Sequence, residues 1–507
     1  MLILDLSIVA IALPSIRSDL HASFSDLQWA FDAYALTLAA FLVIAGSIAD
    51  RYGRKRIFLA GLTIFCLASI ACGLASGVNM LNFSRGVQGV GAAIMFAVGP
   101  AILGHEFHGK ERPMAFSAFG AATGVAAAGG PLLGGALTSG PGWRWIFLMN
   151  VPVCVILIPL AAKTVRESRL AKVASPDIIG MITFTVSLAA IVLAIIRGNE
   201  DGWWSATNVA LYVLSAVCFI LFLVVARSRG EHAMFDLKMF RSRTFFGVCL
   251  ATMLVNAGGM PFIFIATTYI QNVLHNSAWE AGIKFLPMTL VMFVCGALGG
   301  ALPKKVPFKV ILAVGVACVG AGCLLTSLSD ADGGFSSLVP ALLLAGAGIG
   351  LFMPTRAALS IGVFEPEKSG VASGINETFQ QVGIALGLAI AGAVFENRVI
   401  AAFRDTATGS AMGQGAKPAG SAISAGGIDT VARSAGPSAA QKVIADARDA
   451  FTQGFHQTMV LCAAFALLAC LVAIFTVSNK DLHESALTGI PPELPDEAPV
   501  PVTNPAG

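Results

Sequence analysis

A long succession of apolar stretches, each about as long as a membrane helix, constrains this chain more than any other feature. A helix needs about 20 apolar residues to cross a hydrocarbon core about 30 Å thick. Such stretches lie near 1–16, 27–49, 57–75, 80–103, 113–138, 143–162, 176–196, 205–226, 244–270, 281–302, 308–328, 336–358, 369–396 and 457–477. They number fourteen. Most are continuously apolar instead of alternating, which predicts a helical bundle and not a β-barrel. The first is short, ending near Ile16, and its helix is expected to begin upstream of Met1. No basic leader followed by a small-residue cleavage site marks a signal peptide.

Composition agrees with a chain solvated by lipid. Charged residues make up 12% of the 507 positions, about half the share in a soluble domain. This excludes a soluble enzyme, a nucleic-acid-binding protein and a disordered chain. The net charge of +3 is too small to imply a polyanionic partner. All ten cysteines fall inside the apolar stretches and none forms a C-x-x-C pair, so they read as small packing residues. The run His105-Glu106-Phe107-His108 lacks the spacing of a helical zinc site, and no metal or other cofactor is expected. The glycines at 346, 348 and 350 belong to no phosphate-binding loop, which argues against ATP-driven chemistry.

Lysine and arginine are distributed unevenly between alternate loops. One set, including Arg51, Arg54, Lys55, Arg56, Lys163, Arg227, Lys309, Arg356 and Lys480, holds 21, whereas the opposite short loops hold four. The positive-inside rule places the richer set in the cytoplasm. Both termini are then cytoplasmic, in keeping with an even number of spans. The segment 398–456 is rich in Ala, Gly and Ser and reads as a flexible external loop with a short helix near Ala439–Phe451. The Pro-rich, acidic tail 479–507 reads as disordered.

The loop Gly46–Arg56 (G-S-I-A-D-R-Y-G-R-K-R) has a weak counterpart 254 residues later at Gly300–Lys309, where Lys304 replaces Asp50. This predicts two related six-helix halves. The expected organisation is 1–162 as the first bundle, 163–230 as two linking membrane helices, and 231–478 as the second bundle.

Gly46–Arg56 also resembles the signature loop of the major facilitator superfamily. Leu4–Ile16, Arg85–Ala93 (R-G-V-Q-G-V-G-A-A), Gly129–Gly135 (G-G-P-L-L-G-G) and Trp143–Pro152 resemble the first, fourth, fifth and sixth helices of its fourteen-span drug:proton antiporters. The chain departs from the fifth-helix motif at Ala126, where a glycine is usual, but Ala is still small. The resemblance implies an all-α membrane protein of two six-helix bundles plus two central helices. It implies no enzyme activity, but proton-coupled efflux of lipophilic small molecules, cationic ones included, across the inner membrane. The expected partners are protons, a small-molecule substrate and the lipid bilayer, with no nucleic acid, and the protein is expected to be monomeric. The alternative on the same fold is a proton-coupled transporter of a defined metabolite. A non-transporting membrane sensor is a third reading, disfavoured by the loop motif and the buried acids.

Ionisable residues inside spans cost about 2.5–3.5 kcal/mol on insertion scales, so they mark function or a partner. Asp5, Asp32, Arg85 and Glu377 are the expected proton-coupling residues. Asp5 falls near the midplane, Asp32 and Arg85 in the outer third, and Glu377 about 10–12 Å in from the cytoplasmic end. The plain alternative for Asp32 and Arg85 is a static salt bridge, and for Glu377 a packing role bonded to Asn376, Gln380 or Gln381. Asn376, Glu377, Gln380 and Gln381 are the expected substrate-facing group. Gly46, Asp50, Arg51, Gly53, Arg54 and Lys55 form the expected gating loop, with Asp50 capping the next helix. Gly130, Pro131, Gly134 and Gly135 form the antiporter motif, a bent and closely packed helix whose plain reading is packing alone.

Overall fold

The computed structural model describes residues 1–106, 122, 126, 129–130, 132–168, 177–230, 233, 235–302, 305–328, 334–364, 369–434, 439–478 and 481. Among these residues the chain is helical and contains no strand. In order come α1 (Leu2–Leu20), α2 (Phe24–Tyr52), α3 (Arg54–Gly73), α4 (Val78–Glu106), α5 (132–139), α6 (Trp145–Leu148) and α7 (Asn150–Thr164). Then follow α8 (Ile178–Asp201), α9 (Ala206–Arg229), α10 (Arg243–Asn272), α11 (Ala278–Ala301), α12 (Phe308–Ser327), α13 (Val339–Gly362) and α14 (Ser369–Asp405). Three short helices, α15 (Ala407–Met412), α16 (Ala416–Ser424) and α17 (Ile428–Ser434), lead to α18 (Ala440–Thr476).

Eleven of the described segments are long and apolar enough to cross a membrane, and they match eleven of the expected stretches. The other three expected stretches correspond to α1, α2 and the segment ending in α5. α1 and α2 carry Asp5, Arg17 and Asp19, and Asp26 and Asp32, within their lengths of 19 and 29 residues. α1 continues past the apolar run, from Ile16 to Leu20, and ends on His21 in the left-handed region.

Packing sorts the helices into two groups. α4 lies between α2 and α3, and α7 packs on α3. The glycines of the Arg85–Ala93 motif permit this. A Cβ on Gly89 would stand 2.5 Å from the Tyr34 carbonyl oxygen of α2, and one on Gly91 2.6 Å from the Phe65 nitrogen of α3. In the second group α10, α14 and α18 pack together, as do α11, α12 and α13. α1 touches both groups, and α2 packs along α14. α8 and α9 form a hairpin in which Ser187 and Ser215 each donate to the other's carbonyl at 2.9 Å. α8 lies against α2 and α14, whereas the outer surface of α9 is apolar and exposed, as a lipid-facing surface must be.

The segment 398–456 differs from expectation. α14 and α18 are each 37 residues long, about 55 Å at 1.5 Å per residue, so both overrun a bilayer core at one end. With α15–α17 they build a packed cap. Ile423, Ala425, Ile428, Val431 and Ala432 of the cap are buried in the same core as α1 and α10. Burial, not the Ala/Gly/Ser composition, decides its order. This is called the capped end below. The other, carrying Arg51, Arg54, Lys55 and Arg56, is the basic end.

Candidate functional site

Arg85 on α4 is fully buried and pairs with Asp5 on α1. Its Nε donates to the Ala30 carbonyl of α2 at 2.9 Å and one terminal nitrogen to Gln88 Oε1 at 2.7 Å. The guanidinium lies 4.3 Å from the centre of the Tyr34 ring. The second Asp5 oxygen accepts from Gln88 at 3.1 Å and from Asn150 of α7 at 3.3 Å. Gln88 also donates to Ser69 of α3 at 2.9 Å. One charge-neutral cluster therefore ties α1, α2, α3, α4 and α7, and both Asp5 oxygens are satisfied.

Asp32 is placed differently. It is fully buried, and neither carboxylate oxygen has a hydrogen-bond partner among the described residues. Arg85 holds the Ala30 carbonyl, and two residues along a helix turn the face by about 200°. Asp32 therefore lies on the opposite side of α2, so the structure joins Arg85 to Asp5 and not to Asp32. One turn before Asp32, Gln28 donates to the Leu388 carbonyl of α14 at 2.8 Å. Ala35 and Leu36 pack in a cluster with Ile384, Ala385 and Ala389 of α14. Asp32 thus sits on the α2 face that meets α14, at the seam between the two groups.

Glu377 on α14 bonds to none of the three neighbours expected for it. Arg356 of α13 donates to Glu377 Oε1 at 2.9 Å and to Asn376 Oδ1 at 2.7 Å. Asn376 in turn donates to Thr252 of α10 at 3.2 Å. Arg356, assigned from sequence to a loop, is a buried residue of α13. Glu377 Oε2, Gln380 Oε1 and Gln381 Oε1 have no partner among the described residues.

The expected gating loop is anchored by an acid that the sequence reading did not single out. Gly53 takes φ +112°, a value that favours glycine, and precedes α3 without offering a side-chain cap. Glu167, beyond α7, accepts from the Lys55 backbone at 3.1 Å and reaches Arg56 at 3.6 Å. Arg54 donates through its backbone to Ser168 at 2.9 Å and through its side chain to Ala101 at 3.5 Å. Arg51 is exposed beside Tyr52, and Gly46 has open space around it. The Asp50 side chain and Pro131 lie outside the described residues. So do Lys304 and all of the tail 479–507 except Asp481.

Gly134 and Gly135 of the expected antiporter motif sit at helix crossings. Gly130 is buried. A Cβ on Gly134 would meet the Ile8 carbonyl of α1 at 3.0 Å, and one on Gly135 the Ala278 carbonyl of α11 at 2.6 Å. Nearby, the Trp279 backbone donates to Ser139 at 3.0 Å, and Gln271 of α10 donates to the Ile11 carbonyl at 3.0 Å. Arg17 donates to the Ala422 carbonyl of the cap at 3.3 Å. These links, with Gln28 to Leu388, join the two groups of helices toward the capped end. Among the described residues no group of three or more His, Cys, Asp or Glu is placed to hold a metal ion.

Sequence reasoning missed the partners Arg356, Glu167, Gln88 and Asn150. Gln88 and Asn150 were visible as polar residues inside apolar stretches. Arg356 lies two residues inside the end of the 336–358 stretch, where span boundaries blur.

Residues 1–388 match the family model described as Major Facilitator Superfamily. The chain belongs to the major facilitator superfamily. It is 31% identical to a Bacillus subtilis protein named multidrug transporter protein MdtP, over 78% of this chain and 73% of that one. It is 29% identical to the tetracenomycin C resistance and export protein of Streptomyces glaucescens, over 99% of this chain and 92% of that one. Among solved structures it resembles a bacterial homolog of the human lysosomal transporter Spinster, in an inward-facing and occupied conformation. The TM-score is 0.60 at 17% identity, covering 95% of this chain and 96% of that one, which speaks for the fold alone. As a superfamily member the chain is a multi-pass membrane transporter.

Proposed function

We propose that this protein exports lipophilic small molecules across the cytoplasmic membrane in exchange for protons, by alternating access between its two helix groups. The observation that carries the reading is Asp32, a carboxylate fully buried at the seam with no partner among the described residues. An unpaired buried charge costs several kcal/mol, so its gain and loss of a proton can bias which way the groups rock. The relatives named as multidrug and antibiotic exporters support efflux as the direction. The excess of lysine and arginine at the basic end supports a cytoplasmic location for that end and for both termini.

In this reading the first and second groups are the two six-helix bundles, and α8 and α9 are the linking pair. Asp5 and Arg85 form the fixed charge cluster of the first bundle, and Arg356 and Glu377 that of the second. The loop Gly46–Lys55 gates the cytoplasmic side, and Gly130, Gly134 and Gly135 seal the outer side. One proton crossing 100 mV supplies about 2.3 kcal/mol. That sustains roughly a fifty-fold gradient of a neutral compound. The test is exchange in proteoliposomes with an imposed pH gradient. The wild type is expected to drive uptake of a fluorescent lipophilic dye only when the gradient is present, and Asp32→Asn to lose the response while still inserting. Gradient-driven transport by Asp32→Asn at the wild-type rate would refute it.

A further inference from the structure

Most glycines inside the helices are explained by what they touch. A Cβ on Gly258 would stand 2.6 Å from the Cys462 carbonyl oxygen of α18, and one on Gly387 of α14 would run into the Ala257 backbone of α10. Gly259 is different. It is buried near the middle of α10, yet nothing among the described residues lies within 4 Å of where its Cβ would be. The other described glycines with that much open space are all at least partly exposed. Glycine weakens a helix interior relative to alanine, and at Gly259 no close approach of backbones offsets that loss. What the missing side chain provides is room.

The room lies on a definite side of the helix. α10 is the most deeply buried of the eleven candidate spans, with α1, α13, α14 and α18 packed around it. Met260 and Ile263 are nevertheless only partly buried, so they border a gap between helices instead of lipid. At about 100° per residue, Ile263, Asn256 and Met260 lie about 40°, 60° and 100° around from Gly259, all in one sense. Gly258 lies about 100° the other way, against α18. Further round on the Met260 side, Gln271 donates to the Ile11 carbonyl of α1, and Phe264 meets Phe31 of α2 edge-on at 5.6 Å. The opening beside Gly259 therefore turns toward the seam between the two groups.

Asn256 adds chemistry to that room. It is only 8% exposed, and its Nδ2 donates to the Thr252 carbonyl at 2.8 Å, one turn back. The two branches of an amide diverge, so Oδ1 points away from that turn and toward Gly259. Among the described residues it accepts no hydrogen bond. A buried acceptor left unpaired is costly, and a ligand that brings a donor removes the cost. We infer that Asn256, Gly259, Met260 and Ile263 form a slot in the substrate site that takes the edge of a flat aromatic ring, with a ring hydroxyl donating to Asn256 Oδ1. The opening is a single residue wide, which admits the thin edge of a ring and not a branched group. The flexible Met260 thioether suits an aromatic neighbour. A hydroxyl supplies the donor without carrying charge. This rests on the export reading and names a substrate class for it: neutral, flat, hydroxylated aromatic compounds.

The test is binding of two fluorescent probes to purified full-length protein, corrected for partition into empty micelles. One is 1-hydroxypyrene, and the other is pyrene, which keeps the rings and loses the donor. The wild type is expected to bind 1-hydroxypyrene about five-fold more tightly, the factor supplied by one neutral hydrogen bond of about 1 kcal/mol. Asn256→Leu should remove that preference, weakening 1-hydroxypyrene about five-fold and pyrene less than about two-fold. Gly259→Val should fill the slot and weaken both probes by about ten-fold. Gly259→Ala should keep the thermal midpoint at or above the wild-type value, because its methyl enters open space and alanine is the better helix former. A packing glycine would lower the midpoint instead. A lowered midpoint in Gly259→Ala, undiminished binding in Gly259→Val, equal affinities of the two probes in the wild type, or binding of neither would overturn the inference. So would a preference for 1-hydroxypyrene that survives Asn256→Leu. Transport of 1-hydroxypyrene under an imposed pH gradient is measured separately. Slot-dependent binding without gradient-driven exchange would defeat the export reading and leave the slot standing.

Discussion

Replacing Asp5 by Asn probes the buried cluster with almost no change of shape. Asp5 accepts from Arg85 on one oxygen and from Gln88 and Asn150 on the other. An amide carries one oxygen and one NH2 group, so one of its two sides now presents donors to donors. Turned one way it faces Arg85 with NH2, and turned the other way it faces Gln88 and Asn150. Either way Arg85 stays fully buried and loses its counter-charge. Breaking a buried pair from one side costs about 3–5 kcal/mol. At about 2–4 °C per kcal/mol for a unit of this size, the melting midpoint should fall by roughly 6–20 °C. Arg85→Gln should cost less, because Asp5 keeps the Gln88 and Asn150 amides. The double variant should be less destabilised than the sum of the singles by about 1–3 kcal/mol, since neither charge is stranded. The assay is fluorescence-detected thermal unfolding of the four detergent-purified proteins at one scan rate. A midpoint for Asp5→Asn within 2 °C of wild type, or strict additivity in the double variant, would refute the claim that these two charges hold each other.

Two further outcomes follow from the geometry. Gly135→Val should separate α5 from α11, because even a Cβ there would lie 2.6 Å from the Ala278 carbonyl oxygen; transport should fall at least ten-fold, on the order of 1.4 kcal/mol, with an increased passive proton leak in proteoliposomes. Glu167→Ala should remove the acceptor at the start of α3 and destabilise the basic loop by about 1 kcal/mol, seen as faster proteolytic cleavage near Arg54–Arg56, whereas Glu167→Gln should retain part of the protection.

The positions of most spans were legible in the sequence. Lipid forces each crossing segment to satisfy its own backbone within one continuous helix, so the signal is local and survives in a single chain. The same solvent makes Asp5, Asp32, Arg85 and Glu377 conspicuous, because each breaks an apolar run. The motif glycines were legible as packing residues, although not what they pack against.

Three things were decided only by tertiary structure. The partner of Arg85 depends on direction around α2, where Ala30 and Asp32 lie on opposite sides although only two residues separate them. Glu377 became one half of an ion pair because α13 brings Arg356 beside it, from 21 residues earlier in the chain. The segment 398–456 has the composition of a flexible loop, yet it folds into helices because α14, α18, α1 and α10 offer its few apolar residues a shared core. Position along a helix axis is written in the local sequence. Direction around that axis acquires meaning only when neighbouring helices are in place, and the chemistry of this protein lies in that direction.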